Sequence, residues 1–156
     1  MAAMSSFTGT DLYALDHKGR IAIPPWLRRG ESPRRSLTRF YLNRGFEGCV
    51  AVYPPEVWQI WMERLRRRRV KVPNLRAFQR MFMNDAREVT VDAQGRVTIP
   101  PALIRHAALG KEAVLHGAND HIEIWNPERY QQALGAMAEP GGEYDRVGDL
   151  LENEDA

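Results

Sequence analysis

Apolar and polar residues alternate with a period of two in four short stretches of the chain. Tyr13 and Leu15 stand between polar or small neighbours, as do Val89 and Val91; Ile21 and Ile23 follow in the first half, Val97 and Ile99 in the second. A period of two marks half-buried strands with one face turned to a core. A polar loop joins the two stretches of each half, so each half is predicted to open with a hairpin. Tandem prolines then interrupt the pattern. Pro24 and Pro100 cannot donate to a ladder and end the strand, whereas Pro25 and Pro101 suit the first position of a helix. Short helices are expected over residues 26–29 and 102–109, the latter stopped by Gly110. A strand pair with a glycine turn follows in each half, 37–42 with 49–53 and 113–116 with 121–125. Pro55 and Pro127 open a second helix in each half, and residues 72–87 read as a helix carrying Leu75, Phe78, Met81 and Phe82 on one face. After Gly135 no apolar period is evident, Pro140, Gly141 and Gly142 interrupt the chain, and disorder is expected.

These elements recur because the sequence recurs. DHKGRIAIPP, from Asp16 to Pro25, returns as DAQGRVTIPP from Asp92 to Pro101, an offset of 76 residues. GFEGCVAVYPPEVW, from Gly45, matches GANDHIEIWNPERY, from Gly117, at an offset of 72. Self-similarity of this kind fixes the architecture before any other consideration. One copy alone leaves sheet edges and an apolar face uncovered, and two interleaved copies cover both. The expected organisation is a first repeat over residues 7–62, a linker and connecting helix over 63–86, a second repeat over 87–134, and an acidic tail over 135–156. A small pseudo-symmetric barrel with peripheral helices satisfies it.

Charge sharpens the picture. The net charge of +2 conceals an asymmetry. From residue 136 onward seven acids face one base, leaving −6, while residues 1–135 carry 21 bases against 13 acids, leaving +8. A basic body with an acidic tail is a pattern of nucleic-acid binders. Cys49 is the only cysteine, which excludes an internal disulfide and fits a reducing compartment. The first residues lack a basic region followed by an apolar run, and no stretch approaches 18 consecutive apolar residues, so neither a signal peptide nor a membrane span is expected and the reading is cytoplasmic.

The repeated loop, D-x-x-G-R, is the candidate functional element. An aspartate can hold backbone N–H groups two residues on in an Asx-type turn, and the glycine supplies the positive φ that closes it. The arginine follows at the rim of a strand, where a planar fork can grip guanine O6 and N7 or clamp a phosphate. The competing reading is a hairpin whose arginine merely pairs with its own aspartate. Two copies, each followed by the same I-P-P and set in a basic body, favour DNA.

With these motifs assembled, the chain resembles the MraZ family of bacterial regulators, built from two SpoVT/AbrB-type units. The resemblance spans roughly residues 7–134. It rests on Phe7-x-Gly9, the two loop blocks, GFEGC with VYPPEVW, the RAFQRMF segment from Arg76 to Phe82, and IEIWNPERY. It implies an α+β fold of two AbrB-like repeats interleaved into a swapped-hairpin β-barrel with peripheral helices. It also implies a ring-shaped homo-oligomer at the nucleoid that binds tandem short promoter repeats in double-stranded DNA, usually repressing its own division and cell-wall operon. On this chain the family's loops fall on Asp16–Arg20 and Asp92–Arg96. His17, Lys18 and Arg20 in one loop, and Gln94 and Arg96 in the other, are the expected DNA contacts; Asp16, Gly19, Asp92 and Gly95 shape the loops. In AbrB-type domains basic residues after the proline pair also face DNA, which points to Arg28 and Arg29 in the first repeat. The second repeat has Ile104 and Arg105 there, so the first is expected to contribute more charge.

Other features take plainer readings. Arg64, Arg66–Arg69 and Lys71 form a basic run best read as a solvated helix end and linker, with supplementary phosphate contact as its alternative. Arg76 and Arg80, four apart, favour packing over DNA. His106, His116 and His121 have no zinc-ligand spacing, so no metal is expected. Trp58, Trp61 and Trp125 read as core or interface, and Cys49 as a small buried residue. No triad, phosphate-cradling glycine loop or paired-carboxylate site stands out, so no enzyme activity, cofactor or small-molecule substrate is expected. The competing function is an AbrB-like antitoxin or other protein-interaction module that binds DNA secondarily.

Overall fold

Strands form where the alternation lies, but their partners come from the other repeat. The computed structural model describes residues 6–28, 37–67, 73–135 and 137–154; Arg29, Arg68, Arg69, Lys71 and the expected helix start at Val72 lie outside them. The strands are β1 (Thr10–Ala14), β2 (Arg20–Ala22), β3 (Arg39–Arg44), β4 (Val50–Tyr53), β5 (Arg87–Thr90), β6 (Arg96–Thr98), β7 (Glu112–Gly117) and β8 (Ile122–Trp125). They make a mixed α+β fold with a six-stranded sheet ordered β1-β7-β8-β4-β3-β5 and a two-stranded sheet of β2 and β6. The chain divides into two compact units, Met1–Asn126, which holds every strand, and Pro127–Ala156.

The expected opening hairpins are reduced to their loops, closed by Asp16 N–H on Arg20 O and Asp92 N–H on Arg96 O. β1 and β2 share only the single bridge Leu15↔Ile21, because the three residues of β2 form their ladder with β6. β1 instead finds a full ladder on β7, five pairs from Thr10↔His116 to Ala14↔Glu112, and β5 pairs with β3 in the equivalent way. β4 pairs with β8, centred on Ala51↔Glu123, and β2 with β6, centred on Ile21↔Val97. Both centres join residues that are equivalent in the two repeats, so a pseudo-two-fold axis passes through them. The ladders do not close into a barrel; β1 and β5 are the outer strands of the larger sheet.

Period-two alternation sorts the side chains to two cores. Ile21, Ile23, Val50, Val52, Ile122 and Ile124 join one apolar cluster that Leu27 and Leu103 complete from the helices α1 (Pro25–Arg28) and α4 (Pro101–Ala107). Ala51 and Tyr53 point the other way, against α2 (Pro55–Arg67) and α3 (Leu75–Asn84). There Tyr41 stacks on Trp58 at 5.1 Å and Trp58 on Phe82 at 5.5 Å. β4 is therefore buried on both faces. Burial of each large apolar side chain contributes about 1.5–3 kcal/mol. Met81, expected on the buried face of α3, is half exposed, and only Phe82 of that face is fully buried. Gly117 is fixed by crowding, since a Cβ there would lie 2.5 Å from Thr8 N as the segment at Phe7 crosses it.

One helix end and one whole helix differ from expectation. α4 stops at Ala107 because Ala108 itself takes the left-handed conformation, φ 51°, and its N–H bonds Arg105 O; Gly110 has no part in the cap. The segment expected to be disordered contains a helix. In the second unit α5 (Pro127–Gly135) is followed by α6 (Glu143–Glu152). Tyr144, Val147 and Leu151 recur at i, i+3 and i+7, an apolar period the sequence reading missed, and Glu143 and Asp145 occupy the first turn, where acids favour a helix.

Candidate nucleic-acid interface

Each loop is built by one aspartate. Asp16 Oδ1 accepts from the backbone N–H groups of Lys18 and Arg20, both at 2.9 Å, while Asp16 Oδ2 accepts from Arg20 Nε at 2.7 Å. Asp92 repeats the set with Gln94 N and Arg96 N at 2.9 Å and Arg96 Nε at 3.1 Å. Gly19 and Gly95, at φ 75° and 78°, turn the chain so that their N–H groups return to the aspartate carbonyls at 3.0 Å. The backbone N–H of Arg20 is the leading cause that holds the Asp16 carboxyl down at about 2; burial opposes it, and the Arg20 guanidinium and Lys18 N–H reinforce it. Asp92 is lowered for the corresponding reasons, led by Arg96 N–H.

The pairing of each arginine with its own aspartate, weighed as the plain reading, is present in both loops. Each bond uses one of five guanidinium hydrogens and leaves the others on the Nη atoms. The β2–β6 register then sets the arginines together. Arg20 lies opposite Thr98 and Arg96 opposite Ala22, all on the face away from buried Ile21 and Val97. Arg20 and Arg96 are thus diagonal neighbours, roughly 7–8 Å apart at Cα, and Arg96 Nη1 comes to 3.8 Å of Asp16 Oδ2. His17, Lys18 and Gln94 are exposed at the loop tips. Arg105 is exposed on α4, and Arg28 is half-buried on α1.

Each loop is also held by the opposite repeat, which the sequence reading missed. Ile99 N donates to Gly19 O at 2.8 Å and Ile23 N to Gly95 O at 2.9 Å. α4 lays Ile104 over Gly19, and α1 lays Arg28 over Gly95; a Cβ on these glycines would meet Ile104 Cδ1 at 3.0 Å and Arg28 Nη2 at 3.4 Å. Ile104 is the 76-residue counterpart of Arg28, so the repeat offset was the available signal. Arg76 and Arg80 are exposed on α3, and Arg66 and Arg67 form ion pairs with Glu63.

The sequence profile of the antitoxin-like MraZ protein family matches residues 6–81 and again 81–141. The chain belongs to the MraZ family. Each MraZ match contains one Asx-clamped loop, in agreement with the internal repeat. Relatives that bear the name Transcriptional regulator MraZ match most of the chain. That of Thermomicrobium roseum is 36% identical over 135 residues, covering 86% of this chain and 92% of the relative. That of Heliobacterium modesticaldum is 40% identical over 128 residues, 81% and 85%. That of Lactobacillus delbrueckii subsp. bulgaricus is 37% identical over 147 residues, 94% and 97%. No described helix of this MraZ chain is long and apolar enough to cross a membrane.

Proposed function

We propose that this MraZ-family chain is a sequence-specific DNA-binding transcriptional regulator with no catalytic role. It acts as a ring-shaped homo-oligomer on tandem short repeats in its own promoter, at the nucleoid, as a repressor of a division and cell-wall operon. The observation that carries this reading is the pair of Asx-clamped loops whose arginines share one face of the β2–β6 ladder, in a family whose relatives are named transcriptional regulators. The clamp fixes the guanidinium by its Nε and leaves the Nη hydrogens for a base edge or phosphate, which lowers the ordering cost of binding. The interleaving of the two repeats gives both loops a rigid seat. Arg20 and Arg96 contact bases, Lys18, Gln94, His17, Arg28, Arg29 and Arg105 add further DNA contacts, and Asp16, Gly19, Asp92 and Gly95 shape the loops.

The test is DNA binding by the wild type and the Arg20→Ala/Arg96→Ala variant, on the upstream region of the gene and on a scrambled duplex, across a salt series. Selective wild-type binding is expected, with a loss of roughly 1–3 kcal/mol per arginine and relaxed specificity in the variant. Equal, sequence-blind binding by both proteins overturns the reading. The antitoxin reading keeps one observation in its favour: α6 leaves Tyr144, Leu150 and Leu151 exposed as anchors for a protein partner. A toxin-like reading frame beside the gene would decide for it, and neighbouring methyltransferase and division genes against it.

A further inference from the structure

The two loops are equal in backbone and unequal in chemistry. Each contains an aspartate–arginine pair that cancels its own charge, so attraction for a polyanion depends on what else the loop holds. Residues 16–20 add Lys18 and reach +1, with His17 neutral; residues 92–96 have Gln94 at the same position and stay at zero. The residue lying on each loop from the opposite repeat reverses this order. Ile104 adds no charge to the first loop, whereas the Arg28 guanidinium lies over Gly95, next to Gln94, and brings the second to +1. Arg28 Nε is buried with no hydrogen-bond partner among the described residues.

Building on the DNA-binding reading, we propose that Arg28 is the cation of the second loop: contributed by the first repeat, it forms one DNA-contacting unit with Gln94 and Arg96 and supplies the charge that Lys18 supplies to the first. The two units are then matched in charge and distinct in what they recognise. The first carries a mobile ammonium at its tip, a phosphate-seeking point charge. The second carries an amide at its tip, able to bond adenine N6 and N7, with the Arg28 guanidinium over the following Gly95. The half-site under the second loop is therefore more sequence-selective than that under the first.

The experiment transposes the first loop's solution onto the second. Fluorescence anisotropy on the upstream duplex and on a scrambled duplex compares wild type, Arg28→Ile, Arg28→Lys, Gln94→Lys and the double variant Arg28→Ile/Gln94→Lys over a salt series. Arg28→Ile is expected to reduce the slope of log affinity against log salt by about 0.9, the share of one phosphate, and to weaken binding about tenfold, the worth of one charge-assisted hydrogen bond. Arg28→Lys keeps the slope, and adding Gln94→Lys to Arg28→Ile restores it while lowering the preference between the two duplexes. Isoleucine already occupies the counterpart position over Gly19, and thermal melting checks the fold; Arg28→Gln gives the same reading should isoleucine unsettle it. Folded Arg28→Ile with wild-type affinity and slope overturns the inference, as does a double variant that recovers neither. A wild type that binds no duplex overturns the DNA-binding reading and this inference with it, whereas selective wild-type binding with an indifferent Arg28 overturns this inference alone.

Discussion

Asp16 has one carboxylate and three hydrogen-bond donors to satisfy, and this makes it the residue on which a loop depends. Its folded value of about 2 lies below the ordinary 3.8, so it stabilises the folded state fully above the ordinary value and loses that contribution as pH falls towards 2. Asp92 is shifted in the same direction. Carbon-detected NMR titration is expected to place the Asp16 midpoint near 2, and Asp16→Asn to flatten the stability curve between 3.8 and 2. A midpoint near 3.8 would mean that the loop is not clamped in solution. The clamp was legible because it is local: an Asx turn and a glycine follow from five consecutive residues. The seat of Arg28 was not, because it depends on how the second repeat folds across the first. Cys49 kept its expected place, fully buried, with burial pushing its thiol well up and out of reactive range.

At the scale of elements, alternation located the strands and proline located their ends, and neither could name the partners. A hairpin is the shortest connection between neighbouring strands, but β2 takes its ladder from β6 of the other repeat, and β1 takes five pairs from β7. The tail helix escaped for another reason: its glycines and acids masked a three-and-four spacing of Tyr144, Val147 and Leu151. The β2–β6 ladder gives a direct check of the face assignment. Ile21, fully buried at the ladder's centre opposite Val97, should lose about 2–5 kcal/mol on Ile21→Ala. Thr98→Ser, one residue from that centre on the exposed face, should change stability by less than about 0.5 kcal/mol. Chemical denaturation at constant m measures both. Equal losses would place the two faces wrongly and with them the shared face of Arg20 and Arg96.

At the scale of the whole molecule, the pseudo-two-fold axis through Ile21↔Val97 brings two arginines to one face, roughly 7–8 Å apart. That spacing suits a few base pairs and no more. Two bidentate contacts at about 1–3 kcal/mol each discriminate weakly against the many competing sites of a genome. On the proposed DNA-binding reading a single protomer is a poor regulator however well its loops are formed, and the proposed ring supplies selectivity by joining protomers on one duplex. Joining makes each later contact intramolecular and raises affinity by about 10²–10⁴ without any new chemistry. A duplex with three correctly spaced sites should accordingly bind far more tightly than a duplex with one, and inserting half a helical turn between sites should remove most of the gain, because phased loops cannot then meet the same groove face. Titration of one-site, three-site and misphased duplexes at fixed salt separates the cases. Equal affinity for all three would leave the loops as the only source of binding, and the protomer, not the assembly, as the unit that reads DNA.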